Sequence, residues 1–171
     1  MRPVPVIGDD GAASLLAIAR ECPRGCFVEV GVYQGGSAWH LSQLAQEQGR
    51  ELFLYDTFEG IPLKAEIDVH QVGDFGDTSF ESVCRLIPSA NVIQGIFPAS
   101  MVDMPPIAFA HVDCDQYQSV LDCIRVLGKQ MAPGGAMVLD DAFLLAGATQ
   151  ALNDSGRPYT LTERGKAILR Y

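Results

Sequence analysis

The sequence has few basic residues, no long apolar run and no common nucleotide signature. Lys and Arg number 12 against 21 Asp and Glu, which gives a net charge of −9 over 171 residues. Because nucleic acids and anionic membranes are bound through clustered basic side chains, we expect neither as a partner. No apolar stretch approaches the roughly 20 residues of a membrane span. Asp9 and Asp10 stand where a signal peptide would be apolar, so the sequence predicts a cytosolic protein.

Cysteine and overall composition exclude further classes. The number of cysteines, five, is odd, and their spacings match no zinc motif. We therefore expect small buried thiols and not metal ligands or nucleophiles. A hydrophobic content of 48% with 19% charged residues is typical of a globular protein. The length predicts one ordinary domain over residues 1–171.

The chain does contain an apolar run that ends in a glycine-rich turn. The run is Cys26-Phe27-Val28-Glu29-Val30-Gly31, and Gly35-Gly36-Ser37 follows. This pattern predicts a buried strand, a sharp turn that a ligand can approach closely, and a helix whose first N–H groups face it. The spacing is not G-x-G-x-x-G, and no P-loop lysine follows. Glu29 would repel a pyrophosphate and suits a cationic ligand end; a turn without a ligand is the alternative.

Apolar strand patterns alternate with helical patterns along the whole chain. Strands are predicted near 26–31, 52–55, 91–94, 107–112 and 136–139, and a C-terminal hairpin is predicted across Arg164-Gly165. The segment 1–25 is expected to contribute an N-terminal helix. The alternation predicts an α/β fold, a single doubly wound Rossmann-like domain. Its mostly parallel sheet would have seven strands, with the hairpin antiparallel.

Acidic residues stand at the end of three predicted strands. They are Asp56, Asp113, and the pair Asp140 and Asp141. Ligands bind beyond the carboxyl ends of strands in such sheets, and carboxylates gathered there are costly unless a cation lies between them. Asp56 follows Gly31 by 25 residues, which fits an acceptor for ribose hydroxyls. A turn or cap aspartate before Thr57 is the alternative.

A metal site is the second role open to these carboxylates. Asp113, Asp140 and Asp141 offer the hard oxygen donors that Mg²⁺ prefers. A metal there would lower the pKa of a bound hydroxyl and orient it. The alternative is that some of them cap helices. Asp115 is our preferred N-cap, for a helix predicted over 116–129.

The histidines and the long polar loop leave further roles open. His111 precedes Asp113 by two residues on the same strand face, and a core histidine is favoured over a catalytic one. His70 lies in the polar loop over 57–78, where contact with a substrate stays open. The segment 63–78 contains Gly73 and Gly76 and is long enough to act as a lid over the ligand.

Several motifs together resemble a known family. They are Glu29-x-Gly31, Tyr55-Asp56-Thr57-Phe58-Glu59-Gly60-Ile61-Pro62, His111-Val112-Asp113-Cys114-Asp115-Gln116-Tyr117, and Gly134-Gly135-Ala136-Met137-Val138-Leu139-Asp140-Asp141. In this order, over roughly residues 26–152, they resemble the macrocin O-methyltransferase group of class I S-adenosylmethionine-dependent methyltransferases. That group methylates sugar hydroxyls in antibiotic biosynthesis.

The resemblance implies roles for individual residues. The methionine end of S-adenosylmethionine would lie against Glu29, Gly31, Gly35 and Ser37, its ribose against Asp56 and Thr57, and its adenine against Gly95 and Ile96, with Asp113 also near the cofactor. The three metal positions of the Mg²⁺-dependent members correspond to Asp113, Asp140 and Asp141. Related catechol methyltransferases have a lysine base where this chain has Gln116. Asp113 or His70 is therefore expected to be the catalytic base.

The leading hypothesis is an Mg²⁺-dependent O-methyltransferase that acts on a small-molecule hydroxyl compound, such as a sugar or a natural-product intermediate. Two alternatives stay open. The short stretch before the first strand leaves room for a protein that binds S-adenosylmethionine or S-adenosylhomocysteine without catalysis. The D-x-D of Asp113-Cys114-Asp115 would suit a metal-dependent glycosyltransferase. A homodimer in which a second subunit completes the pocket is also open.

Overall fold

The apolar runs of the sequence form one mixed sheet, flanked by helices on both faces. The computed structural model describes residues 8–162 and 165–171. In chain order the elements are α1 (Gly8–Arg20), β1 (Cys26–Val30), α2 (Gly36–Glu47), β2 (Leu52–Asp56), α3 (Phe80–Leu86), β3 (Asn91–Gln94), β4 (Ile107–Val112), α4 (Tyr117–Leu127), β5 (Met131–Leu139), α5 (Ala146–Asp154), β6 (Thr160–Leu161) and β7 (Ala167–Arg170).

The strand order is β3-β2-β1-β4-β5-β7-β6. Strands β1 to β5 pair in parallel, whereas β7 pairs antiparallel with both β5 and β6. This confirms the predicted doubly wound sheet of seven strands with a C-terminal hairpin. The order reverses between β1 and β4, which is where sheets of this type open a crevice for a ligand.

Two apolar clusters, one on each face of the sheet, form the core. Phe27 of β1 packs with Leu15 of α1 and Leu41 of α2. Val28, the next residue along β1, packs on the opposite face with Leu121 of α4 and Leu152 of α5. Because both faces are covered, β1 and β4 are buried along their whole length instead of alternating, and their sequences are apolar except for Glu29 and His111.

Two boundaries differ from the sequence prediction. Strand β5 begins at Met131, so Pro133-Gly134-Gly135 lies inside an irregular strand and does not form a separate turn. Its backbone is paired by Tyr171, which accepts from the Gly134 N–H and donates to the Gly135 carbonyl. The last helix begins at Ala146. Arg164 of the predicted hairpin turn, and residues 1–7 of the N-terminal segment, lie outside the described residues.

Helix length also bears on the membrane prediction. Within residues 8–162 and 165–171, no helix is both long enough and apolar enough to cross a bilayer.

Candidate functional site

A cleft opens at the edge of the sheet where the parallel strands β1 to β5 have their carboxyl ends. We call it the carboxyl-edge cleft. Its lining includes eight of the residues singled out by the sequence: Gly31, Ser37, Asp56, Thr57, Gly95, Ile96, Asp113 and Asp141. It also includes Asp115, which the sequence prediction had assigned to a helix cap. Three predicted site residues with ionisable side chains, Glu29, His70 and Asp140, are not among the described residues that line it.

Gly31 is required by the packing of β1 against β4. Its φ is +89°, and a Cβ placed there would lie 1.9 Å from the carbonyl oxygen of Asp113. The two strand ends are joined by the Asp113 N–H, which donates to the Val30 carbonyl at 2.9 Å. The glycine therefore allows two backbones to meet as well as lining the cleft. Any side chain at position 31 would push apart the strands that end at the site.

Asp56 holds the glycine turn in shape. One carboxylate oxygen accepts from the N–H groups of Val32 and Tyr33, at 2.7 and 2.8 Å, and the other accepts from Phe58 N–H at 2.7 Å. Since a carboxylate has about four acceptor positions, one remains for a ligand hydroxyl. Asp56 is thus both a brace of the turn and a wall of the cleft.

Glu29 lies beneath the turn and not in it. It is completely buried, and its Oε1 accepts from Ser37 Oγ at 2.6 Å and lies 2.7 Å from His111 Nδ1. Ser37 lines the cleft, so Glu29 influences the cleft indirectly, by holding the Ser37 hydroxyl. Burial lowers the pKa of His111, but the hydrogen bond and charge of Glu29 outweigh it, and the net shift is upward. Because β1 turns the Glu29 side chain into the core, Glu29 is not among the described residues that line the cleft, and its contact with a ligand amine stays a prediction.

Gly35 and Gly95 were both expected to contact the cofactor, but among the described residues only Gly95 of the two lines the cleft. Gly35 is the N-cap of α2 with φ +83°, and its Cβ position faces Leu86 of α3 at 3.1 Å, so it serves helix packing. Gly95 and the half-exposed Ile96 line the far wall of the cleft after β3. The predicted adenine side therefore faces the cleft, whereas Gly35 is not among the described lining residues.

Three carboxylates gather at the other end of the cleft. Asp113, Asp115 and Asp141 each offer an oxygen, and these oxygens lie within 4.8 Å of one another. Burial raises the pKa of all three, and burial together with the charge of Asp141 raises that of Asp115 to about 6. Hard oxygen donors that repel each other in this way fit a divalent cation of the Mg²⁺ type.

Asp140 was predicted to share a metal site with Asp113 and Asp141, but its side chain is paired with a lysine. Its Oδ1 accepts from the ammonium of Lys166, a buried residue that immediately precedes β7. Within the described residues Asp140 clusters with Asp113 and with His111, whose Nε2 is buried without a hydrogen-bond partner. The carboxylates of Asp140 and Asp141 thus fall into different clusters, although the Asp141 N–H donates to Asp140 Oδ1 at 3.2 Å.

Asp115 is not a helix cap, and Asp68 performs that role from the long loop. Gln116 is the N-cap residue of α4 and makes no side-chain cap bond. The first N–H of the helix, that of Tyr117, donates to Asp68 Oδ1 at 2.8 Å, and Asp68 Oδ2 accepts from Ala65 N–H. Asp115 has φ +60° and projects into the cleft instead. Sequence spacing gave no signal for Asp68, which is 49 residues from Tyr117.

His70 and Gln116 lie beside the carboxylates. His70 Nε2 is 3.9 Å from Asp115 Oδ2. Gln116, at the position of the catechol methyltransferase lysine, is buried and donates to the carbonyls of Leu63 and His70. Its amide therefore fastens the long loop, and it cannot accept a proton as a lysine would.

The five cysteines are free thiols; Cys22, Cys26 and Cys123 are buried as predicted, whereas Cys84 and Cys114 are half-buried. Cys114 and Cys123 lie against each other at the cleft wall, with their sulfurs 4.0 Å apart. The neighbouring thiol and burial raise the pKa of Cys114, which keeps it protonated and unreactive.

Comparisons with known proteins agree with this geometry. The profile of the macrocin-O-methyltransferase (TylF) family matches residues 12–165. A Streptomyces olivaceus protein named 8-demethyl-8-(2,3-dimethoxy-alpha-L-rhamnosyl)-tetracenomycin-C 4'-O-methyltransferase is 24% identical over 159 residues, which are 81% of this chain and 60% of the relative. The mycinamicin III 3''-O-methyltransferase of Micromonospora griseorubida is 26% identical over 144 residues, 71% of this chain and 57% of the relative. The chain thus spans less than two thirds of the length of these relatives.

Solved structures show the same fold. The O-methyltransferase NovP superposes with a TM-score of 0.84 at 19% identity, covering 97% of this chain and 81% of NovP. The calicheamicin methyltransferase CalS11 gives 0.75 at 17% identity, covering 94% and 77%. At these identities the likeness shows the fold alone. The family profile extends over almost the whole chain, however, and on that ground this chain belongs to the macrocin O-methyltransferase family.

Proposed function

We propose that this chain is an S-adenosylmethionine-dependent O-methyltransferase that acts on a hydroxyl of a small molecule, such as a sugar or a natural-product intermediate. The observation that supports it is the carboxyl-edge cleft itself. One end is a glycine turn braced by Asp56, and the other is a cluster of three carboxylates. Such a cleft offers one place for a cofactor and a second for a hydroxyl compound, as methyl transfer requires.

The glycine-turn end suits the cofactor. The first residues of α2, Gly36 and Ser37, face the cleft and present a helix N-terminus to it. Asp56 has an acceptor position free for ribose hydroxyls, and Gly95 with Ile96 provides the flat apolar wall that an adenine needs. S-adenosylmethionine, when bound, supplies the activated methyl group and its leaving group. The chain's part is to hold the two reactants in line.

The carboxylate end suits a divalent metal. We propose that Asp113, Asp115 and Asp141 hold Mg²⁺, since all three line the cleft and their oxygens lie within 4.8 Å of one another. Their oxygens are hard donors, and the burial and neighbouring carboxylates that raise their pKa values would be compensated by a cation. Mg²⁺, when bound, would orient the acceptor hydroxyl and ease its deprotonation.

Asp115 is the residue we propose as the proton acceptor. It lines the cleft, and the carboxylate oxygen that does not hold the metal is free to take a proton from a hydroxyl. His70, 3.9 Å from Asp115, can carry the proton onward to solvent. Asp113, the other base considered from the sequence, is more deeply enclosed and is better suited to holding the metal.

The long loop between β2 and α3 is proposed as a lid. Residues 63–78 are anchored at several points: Gln116 binds the Leu63 and His70 carbonyls, Asp68 accepts from Tyr117 N–H, and Asp77 accepts from the Tyr33 hydroxyl at 2.8 Å. Phe75 of this loop lines the cleft while remaining half-exposed. We expect hydrogen exchange in 63–78 to slow when S-adenosylhomocysteine binds. Equal exchange with and without it would contradict the lid.

The other functions considered are less well supported. A D-x-D glycosyltransferase is disfavoured, because Asp113 and Asp115 lie at the end of a cleft whose other end is the glycine turn of a methyltransferase family. A non-catalytic binder of S-adenosylmethionine has the same cofactor end and differs only in turnover. A homodimer and a cytosolic location remain predictions.

Turnover and binding separate these possibilities. The full chain would be supplied with methyl-labelled S-adenosylmethionine and a panel of glycosides, free sugars and catechols, with Mg²⁺ or with EDTA, while calorimetry records binding of S-adenosylhomocysteine. We expect binding in both conditions and label transfer only with Mg²⁺. Binding without transfer to any acceptor would favour the non-catalytic binder, and full transfer in EDTA would contradict the metal.

A further inference from the structure

Lys166 is placed beside the site by the register of the sheet. Strand β7 runs antiparallel to β5 with Leu139 opposite Ala167, so the next pair along the ladder is Asp140 and Lys166. The Lys166 backbone is itself fixed, since its N–H donates to Thr162 Oγ1 and its carbonyl accepts from Thr162 N–H. Its position therefore follows from strand pairing and not from a flexible side chain.

The Lys166 side chain forms a buried ion pair with one carboxylate. Only 6% of the residue is exposed, and its ammonium donates to Asp140 Oδ1. A buried ammonium is expensive unless it is paired, and a buried carboxylate is equally so. Each group therefore compensates the other. Asp140 is removed from the cleft wall by this pairing, while its neighbour Asp141 lines the cleft.

The carboxylates consequently form two groups that share Asp113. One consists of Asp113, Asp115 and Asp141, and the other of Asp113, Asp140 and His111. Two of the first group line the cleft beside Asp113. In the second group, Asp140 already has a cation, the Lys166 ammonium. Among the described residues, no ammonium or guanidinium group is bonded to the first group, whose basic neighbour is His70, 3.9 Å from Asp115.

We propose that Lys166 is a positioning residue, a permanent cation for Asp140 that leaves the divalent metal to Asp113, Asp115 and Asp141. This inference rests on the proposed function for the presence of the metal. It differs from the metal set that the family resemblance implies, which includes Asp140. The ammonium neutralises the fourth carboxylate, so a single divalent ion suffices for the cluster.

The test uses Mn²⁺ binding to the purified full chain, measured by electron paramagnetic resonance without acceptor or turnover. Lys166→Met leaves Asp140 as an unpaired buried carboxylate next to the metal, so we expect Mn²⁺ to bind about fivefold more tightly or better. Lys129→Met removes the same charge from an exposed position after α4 and should leave the Mn²⁺ affinity unchanged. Lys166→Arg keeps the charge and should preserve wild-type affinity.

The double variant Lys166→Met/Asp140→Asn is decisive, because it removes the pair without changing net charge. Replacing a buried ion pair by uncharged side chains is often neutral for stability, so this variant serves even where Lys166→Met alone does not fold. We expect wild-type Mn²⁺ affinity, whereas Asp115→Asn should weaken binding more than about tenfold. If the double variant lost as much Mn²⁺ affinity as Asp115→Asn, Asp140 would be a metal ligand. That result would overturn the role given to Lys166 but not the proposed function. No Mn²⁺ binding by the wild-type chain would overturn the metal of the proposed function as well.

Discussion

Backbone hydrogen bonds shape the glycine-turn half of the cleft, whereas charged side chains shape the carboxylate half. In the first, Asp56 accepts from three N–H groups, and Gly31 lets two strand ends meet. In the second, Asp113, Asp115 and Asp141 face each other with raised pKa values. The first half is complete as it stands, whereas the second is the one in which we propose a cation. The two halves should therefore respond to different perturbations.

The largest effect is expected from Asp141→Asn in the carboxylate half. Even residues that only support a metal ligand cost 10–100-fold when changed, so loss of a ligand should lower turnover more than about 100-fold. Affinity for S-adenosylhomocysteine should not change, because the glycine-turn half is intact. Calorimetry and a turnover assay check both, with the exposed Asp103→Asn as control. A parallel loss of cofactor affinity would show that the halves are not separable.

Gly31→Ala tests the glycine-turn half through stability. Gly31 and Gly73 have nearly the same φ, +89° and +90°, but a Cβ at Gly31 meets the Asp113 carbonyl and one at Gly73 meets nothing within 4 Å. The left-handed conformation alone costs an L-residue about 1–2 kcal/mol, which is the loss expected for Gly73→Ala. For Gly31→Ala we expect about 3 kcal/mol or more. Urea unfolding measures both, and equal losses would contradict the steric argument.

Asp115→Asn tests the electrostatic cost of the carboxylate half without metal. Burial raises the pKa of Asp115 from 3.8 to about 6. A carboxyl with a raised folded-state pKa destabilises the fold when ionised, above about pH 6, and this cost disappears as the pH falls through 6 towards 4. In chelator at pH 7.5 we expect Asp115→Asn to stabilise the protein by about 2 kcal/mol.

Thermal unfolding at several pH values checks this prediction. The gain corresponds to about 2–4 °C per kcal/mol for a chain of this size, and it should shrink towards zero at pH 4.5. Saturating Mg²⁺ should favour the wild type, which keeps the ligand. A gain that is independent of pH would mean that repulsion is not its cause.

The smallest effect is expected from Asp56→Asn. The amide still accepts through its oxygen, but its NH₂ group faces backbone N–H donors, so part of the bracing of the turn is lost. Leaving such donors unsatisfied costs about 1–3 kcal/mol, and we expect affinity for S-adenosylhomocysteine to fall about tenfold. Asp77→Asn affects exposed hydrogen bonds, those from the Tyr33 hydroxyl and the Gln34 amide, and should leave affinity unchanged. If Asp77→Asn lowered the affinity for S-adenosylhomocysteine more than Asp56→Asn did, the main support of the turn would come from the long loop.

The fold and half of the site could be predicted from the sequence because their signals are local. Uninterrupted apolar runs predict buried parallel strands, and the glycines at Gly31 and Gly35 predict the turn. A residue that directly follows a parallel strand must lie at the carboxyl edge, so Asp56, Asp113 and Asp141 were placed correctly there. Glu29 was misplaced by the same reasoning, since an interior strand residue faces the core.

Only the tertiary structure decided how the carboxylates are partnered. Asp68 caps α4 from 49 residues away and leaves Asp115 to the cleft. Lys166 reaches Asp140 because β7 pairs with β5. The sequence contains each of these residues, but no spacing rule relates residues on separate segments. Their charges interact only once the chain has brought them within a few ångströms, where burial strengthens every pairing and makes every unpaired charge costly.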